Sequence, residues 1–319
     1  MDETSTKQIK GIHHITAISG DAQENLDFYV GVLGMRLVKR SVNQDDPGTY
    51  HLFYADAAGH PGTDLTFFPW ARTPRGKNGS GMSAEVPLAV PAGSLDYWAD
   101  RLAQHGVATR PVETRFGELT LPFEDPHGMN VALAETSDER LFEQWDNSPV
   151  PAEYQVRGLH AARVWERKAD VTGAFLTQVM GFERMGTEGD WTRYGLLGGG
   201  SGKVIDVRAT PDERMGQMGV GTIHHIAWRL PDVEKEMALR ADVVKAGAHP
   251  TELIDRFWFK SVYFREPGGV LFEFATDGPG FGIDEDTAHL GEHLVLAPWL
   301  EASRAEIEAV LPTLVMPAK

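Results

Sequence analysis

The sequence predicts an α+β protein of four βαβββ modules, two in each of two similar halves. Three observations carry this. Asp125-Pro126-His127-Gly128 and Glu266-Pro267-Gly268-Gly269 share the pattern acidic-Pro-x-Gly 141 residues apart, and Gly106 with Gly247, Arg115-Phe116 with Arg256-Phe257 and Phe123 with Phe264 repeat at the same offset. The run Phe28 to Gly34 (FYVGVLG) echoes Phe175 to Gly181 (FLTQVMG) 147 residues later. Within each half, an apolar strand, a helical stretch and several short strand-like runs follow one another twice. The halves read as duplicated, with a few residues gained or lost between the echoes.

The first module spans about 9–71. Gly11 to Ala17 is its opening apolar strand, and Asp21 to Leu33 places Ala22, Leu26, Tyr29 and Leu33 near helical spacing. Short runs rich in β-branched and aromatic residues, split by Gly, Pro and Asp turns, complete it as strands. The same order places modules near 80–137, 156–210 and 219–277, the last opening on Thr222 to Arg229. Asp138 to Tyr154, polar and acidic with Pro149 and Pro151, reads as a linker between an N-terminal half, 1–146, and a C-terminal half, 147–319. After Gly278 comes a tail, with one amphipathic helix expected from Glu301 to Leu311.

Composition narrows the function. A formal charge of −16 argues against a nucleic-acid partner, which needs clustered basic surface. No apolar stretch approaches the roughly 18 residues of a membrane span. Met1 to Lys10 is polar and lacks an apolar signal core, so a cytoplasmic protein without membrane association is expected. With no cysteine, disulfides, thiolate ligands and cysteine nucleophiles are excluded. Any metal must be held by His, Asp or Glu.

Two paired histidines supply that set. His13-His14 and His224-His225 sit in the same apolar setting, Gly-Ile-His-His-Ile-Thr and Thr-Ile-His-His-Ile-Ala, and Glu273 lies 48 residues after His225 inside the run Val270-Leu271-Phe272-Glu273-Phe274. A carboxylate buried without a partner costs several kcal/mol or takes a raised pKa, so Glu273 needs one. Two imidazoles and one carboxylate suit a divalent transition metal and, with open positions left, a non-haem Fe(II) oxygenase. Successive strand residues face opposite ways, so one histidine of each pair should look inward. His14 shares a face with Ile12 and Thr16, and His225 with Ile223 and Ala227; the small Thr16 and Ala227 two positions on favour His14 and His225 over His13 and His224. Thr16, on the His14 face, is a substrate-contact candidate.

At the 141 offset Glu273 corresponds to Ala132 and His225 to Ala84, so one working site per chain is expected. Asp206 reads as a partly exposed strand acid. An oxygenase of that kind also needs a base and an acid. His13 or His224 fits, since imidazole titrates near neutral pH, with His224 preferred; both need a β-bulge to turn them inward. Other motifs fail on their context. His289-Leu290-Gly291-Glu292-His293 spells a zinc-protease motif, but Gly291 weakens the helix it requires. Gly198 to Lys203 lacks the full phosphate-loop pattern and reads as a glycine turn. His51, His60, His105, His127 and His249 have no partner pattern and read as ordinary residues.

The stretches GIHHITAISGDAQENLDFYVGVLGMRLVKR, YHLFYAD, GTDLTFFP, TRFGE and EPGGVLFE resemble the vicinal-oxygen-chelate superfamily, and within it the ring-cleaving dioxygenases that act on hydroquinones and related diols. The resemblance covers about residues 9 to 277. It implies the glyoxalase/bleomycin resistance/dihydroxybiphenyl dioxygenase fold, with paired modules curling their sheets into two incomplete barrels. It implies Fe(II), or Mn(II) with its similar preferences, on His14, His225 and Glu273, and an aromatic diol and O2 as substrates. Tyr263 is similar to the phenol that hydrogen-bonds the metal-bound substrate oxygen, and Arg256 to an arginine that stabilises a developing anion; Arg115 repeats the Arg-Phe context, which leaves a structural role open. In many two-domain relatives all ligands come from the C-terminal half, which would put His160 in place of His14. His14 is preferred because only the first and fourth modules carry the pair. The alternative activity is a non-oxidative glyoxalase-type lyase or isomerase using another divalent metal. Sheet edges of this kind are compatible with a homo-oligomer.

Overall fold

Each module opens with a strand that the next elements wrap. In the computed structural model, which describes residues 9–317, the first module is β1 (Ile12–Ser19), α1 (Ala22–Leu26), β2 (Arg36–Asn43), β3 (Asp46–Ala55) and β4 (Asp64–Pro69). Residues 1–8 of the polar N-terminus lie outside the described residues. Asp21 starts α1 by accepting hydrogen bonds from the Gln23 and Glu24 amides at 2.8 and 3.0 Å, satisfying donors that the first turn leaves free. The helical stretch expected to Leu33 continues from Asp27 to Val32 as a wider π-helical turn.

The second module is β5 (Met82–Pro91), α2 (Leu95–Gln104), β6 (Glu113–Arg115), β7 (Glu118–Glu124) and β8 (Asn130–Thr136). The third is β9 (Gly158–Leu159), β10 (Ala161–Glu166), α3 (Ala169–Gln178), β11 (Glu183–Glu188), β12 (Trp191–Gly195) and β13 (Val204–Ala209). The fourth is β14 (Thr222–Leu230), α4 (Val233–Lys245), β15 (Ile254–Asp255), β16 (Lys260–Arg265) and β17 (Leu271–Thr276). The tail ends in α5 (Arg304–Val310), shorter than expected because Pro298–Ser303 winds as a 3-10 helix.

The strands form two curled sheets, two incomplete barrels. One has eight strands in the order β15-β16-β17-β14-β1-β4-β3-β2; the other has nine, β11-β12-β13-β10-β5-β8-β7-β6. Each sheet therefore takes one module from each half of the chain. The seams are antiparallel, β1 on β14 and β10 on β5. Trp228 on β14, fully buried, packs edge-on to Phe182 and to Phe272 of β17 at 5.0 and 5.6 Å. Burying each such large apolar side chain contributes roughly 1.5–3 kcal/mol.

Inside the first barrel, Val38, Phe53, Trp258, Phe259 and Phe281 form a separate cluster. Phe281 comes from the tail, which closes this barrel from one side. Lys39, fully buried, pairs there with Asp284 at 2.8 Å and with Glu285.

Strand register corrects one sequence equivalence. Thr16 faces His225 across β1–β14 as Arg163 faces Glu85 across β10–β5, and Ala227 faces Glu273 as Pro87 faces Ala132. Glu85, not Ala84, thus holds the place of His225; a one-residue slip between β5 and β8 is invisible to a single offset. Likewise His14 lies opposite Asp64 as Ala161 lies opposite Val204, which gives Ala161 the place of His14.

The second barrel is filled by ion pairs. Arg163 meets Glu85 at 3.0 Å, Arg193 meets Asp206 at 2.7 Å and Glu118 at 2.7 Å, and Arg115 holds Glu85. Asp206 is therefore buried, not a partly exposed acid, because two arginines face it.

Candidate metal centre

Both histidine pairs sit where β1 and β14 slip register. Ile12 pairs with Trp228 and His14 with Ala227, so His13 is the extra residue; Thr16 pairs with His225 and Ala17 with Ile223, so His224 is the extra one. A bulge places two consecutive side chains against one partner residue and re-aims them. All four imidazoles consequently gather in one place, although simple alternation would split each pair.

His14 Nε2, His225 Nε2 and a Glu273 carboxylate oxygen converge with all three residues buried. Glu273 Oε2 lies 3.2 Å from His14 Nε2 and 2.9 Å from His225 Nε2, and the two nitrogens are 3.2 Å apart. Bonds of about 2.1 Å at right angles would put neighbouring donors roughly 3.0 Å apart, so the triangle fits three adjacent corners of an octahedron.

Proton bookkeeping supports a cation. His13 Nε2 faces the Thr276 carbonyl at 3.2 Å, which only accepts, so this nitrogen carries hydrogen. Burial first, then the neighbouring His14, lowers the His13 pKa to about 3, so its Nδ1 is a bare acceptor. His14 Nδ1, 2.9 Å away, must donate to it. That leaves His14 Nε2 turned toward the Glu273 carboxylate and His225 Nε2 in a dry site, where one shared cation would satisfy all three atoms.

The outer contacts orient this set. Ser261 donates to Glu273 Oε1 at 2.6 Å. Burial would raise the Glu273 pKa, but the facing imidazoles hold it well below the usual carboxylate range. His224 Nδ1 contacts His225 Nδ1 at 2.7 Å; burial and His225 lower its pKa to about 3, and the ring is partly exposed beside Phe68 and Trp70. Tyr263 sits opposite Glu273 on β16, with its ring 5.6 Å from His225, and burial and the Glu273 charge push its phenol pKa up. Arg256 lies over Tyr263 and reaches Asp45 at 2.8 Å, while Gln44 donates to the Arg256 carbonyl. The turn after β2 is thereby clasped over the site.

A cavity of about 40 Å³ opens on His14 and His225, lined by polar His51, Arg256 and Tyr263 and by apolar Phe53, Phe68 and Phe259. A wider surface cleft of about 1020 Å³ beside Phe28, Val107 and Phe123 includes none of the triad. Thr16 is fully buried and does not line the cavity; its hydroxyl meets Thr66 Oγ1 at 2.7 Å. His160 is not in the cluster: it contacts Glu118 at 3.1 Å and Ser201 at 3.2 Å. His51, which reads as ordinary in the sequence, lines the cavity and bonds Thr66 at 2.9 Å. The alternation of His51 with Phe53, next to the metal strand's neighbour β4, was the available signal for it. The zinc-protease-like motif is a surface turn, with His289 and Glu292 exposed and 3.2 Å apart.

Comparison with known proteins agrees with this geometry. Residues 11–133 and 158–274 match the model of the Glyoxalase/Bleomycin resistance protein/Dioxygenase superfamily. The chain is 44% identical over 302 residues to MhqO of Bacillus subtilis (strain 168), named as a proposed ring-cleaving dioxygenase, covering 95% of this chain and 96% of that protein. It is 36% identical over 309 residues to a chlorohydroquinone/hydroquinone 1,2-dioxygenase of Sphingobium indicum, covering 94% and 95%. A crystal structure of a proposed dioxygenase from Bacillus subtilis superimposes with a TM-score of 0.93 at 42% identity, over 98% of this chain and 100% of that one. Glyoxalase I of Zea mays shares the fold, with a TM-score of 0.63 at 14% identity over 89% and 96% of the two chains.

Proposed function

The chain belongs to the Glyoxalase/Bleomycin resistance protein/Dioxygenase superfamily, and from that premise we propose that it is a ring-cleaving dioxygenase using Fe(II) on His14, His225 and Glu273 to open a hydroquinone-type or catechol-type diol with O2. The observation that carries the metal is the convergence of three buried donor atoms 2.9–3.2 Å apart. The relatives named for ring cleavage support the reaction.

His14, His225 and Glu273 would hold such a metal, which would bring the diol and O2 together and relay electron density between them. The protein supplies the rest. Tyr263, kept protonated by its raised pKa, donates a hydrogen bond to the substrate oxygen nearest the triad. Arg256 holds positive charge beside it and stabilises anion development. His224 accepts from the Nδ1–H of His225 and so keeps that residue's Nε2 bare for the metal. Phe53, Phe68 and Phe259 wall the ring and exclude water.

Oxygen uptake by anaerobically purified, Fe(II)-loaded protein tests this with hydroquinone, methylhydroquinone and catechol in turn. Stoichiometric uptake with a ring-opened product is the expected result, abolished together with iron content in Glu273→Ala and His14→Ala. Absence of uptake with every diol, despite bound metal, would overturn it.

A further inference from the structure

Beyond the triad, one polar side chain on the cavity wall is fixed in place with half its hydrogen-bonding capacity unspent. Gln44 donates to the Arg256 carbonyl, Arg256 pairs with Asp45, and Asn43 accepts from the Asp45 amide, so Gln44 Oε1 and Asn43 Nδ2 have capacity left as well. His51 differs in being held rigidly. Its Nε2 is taken by Thr66 Oγ1 at 2.9 Å, and Thr66 in turn meets Thr16 at 2.7 Å. Among the described residues its Nδ1 has no hydrogen-bond partner, and it is not sealed off by protein atoms. The ring cannot turn freely to find one, because it is gripped by Phe53 and Phe68 at centroid distances of 3.9 and 4.4 Å.

The chemistry of diols makes this vacancy informative. A vicinal diol can direct both oxygens at one metal. A para-diol can direct only one, and its second hydroxyl goes to the far end of the ring, into an apolar enclosure where an unpaired hydroxyl is costly. We propose that His51 Nδ1 receives that second hydroxyl, making His51 the residue that selects a para-diol over a vicinal one; the inference rests on reading the cavity as a diol site.

The hydrogen-bond chain is self-consistent. If the hydroxyl donates to Nδ1, then Nε2–H donates to Thr66 and Thr66 donates to Thr16. In the other tautomer every bond reverses and Nδ1–H donates to the hydroxyl. A hydroxyl serves both polarities. A ring C–H at that position serves neither and leaves Nδ1 unpaired.

Calorimetric titration under argon of the Fe(II)-loaded protein with hydroquinone, catechol and phenol tests the proposal without turnover. Wild type is expected to bind hydroquinone roughly 10- to 100-fold more tightly than phenol, which lacks only the second oxygen. His51→Phe, which keeps a ring between Phe53 and Phe68, should lose that advantage and leave catechol binding within about twofold; His51→Gln should restore part of it. Equal affinity of wild type for phenol and hydroquinone overturns the proposal even if no variant folds, as does an equal loss for both diols in His51→Phe. Hydroquinone binding without oxygen uptake would reject the dioxygenase reading while leaving this comparison intact. Binding of neither diol would overturn both.

Discussion

His14 depends on the residue before it. The Thr276 carbonyl fixes the tautomer of His13, and His13 fixes that of His14, so the ligand nitrogen is kept bare by a hydrogen-bond chain that ends on the backbone. Partners of this kind typically carry 10- to 100-fold in metal affinity. His13→Phe is therefore expected to weaken iron binding about 10- to 100-fold in chelator competition, with the fold retained by thermal melting; an unchanged affinity would deny His13 this role. The sequence shows the paired imidazoles and Glu273 clearly, because a repeated His-His and a carboxylate inside an apolar strand are both unusual. The bulges that bring His13 and His224 to the ligands were not legible, since they arise from pairing between strands some 200 residues apart in the chain. A lone histidine such as His51 gains meaning only from Thr66, Phe53 and Phe68 around it.

At the level of elements, β5 and β10 answer β14 and β1, but arginine stands where chemistry would need space. Arg163 lies between Glu85 and Asp206 and over the Trp191 ring at 3.7 Å. Arg163→Ala would leave Glu85 to Arg115 and Asp206 to Arg193 and is expected to cost about 1.5–3 kcal/mol in urea unfolding, whereas replacing Arg163 and Glu85 together by apolar residues of similar volume, with Arg115 also made neutral, should cost less. Glu166, at the end of β10, makes a second prediction. Burial first, and then the Glu266 carboxylate, raises its pKa from 4.5 to about 9. A group whose folded pKa is raised stabilises at low pH and loses that contribution as pH climbs through the folded value. Unfolding free energy should thus fall as pH rises from about 4.5 to about 9, and Glu166→Gln should flatten the alkaline part of that decline. A slope unchanged by the substitution would exclude Glu166 as its source. Repeat offsets made the four modules legible but misplaced Glu85 by one residue, since a single offset cannot see a slip between neighbouring strands.

For the whole molecule, the duplication visible in the sequence and the barrels in space divide the chain differently. Each sheet needs both halves, so residues 1–146 alone should hold no iron, while co-expression with 147–319 should recover it in a copurified pair, read as metal per complex. Iron bound stoichiometrically by either fragment alone would contradict the shared seam. The same pairing of first module with fourth has a consequence for how the protein comes into being. His14 leaves the ribosome 259 residues ahead of Glu273, a delay of roughly 13 to 50 s at ordinary elongation rates. The second barrel, closed by modules adjacent in the chain, can assemble during that wait, but β1 must linger without its partner until β14 and β17 emerge. The proposed metal ligands at the two ends of this interval would act as a check on completion: a chain stalled before Glu273 lacks one of the three.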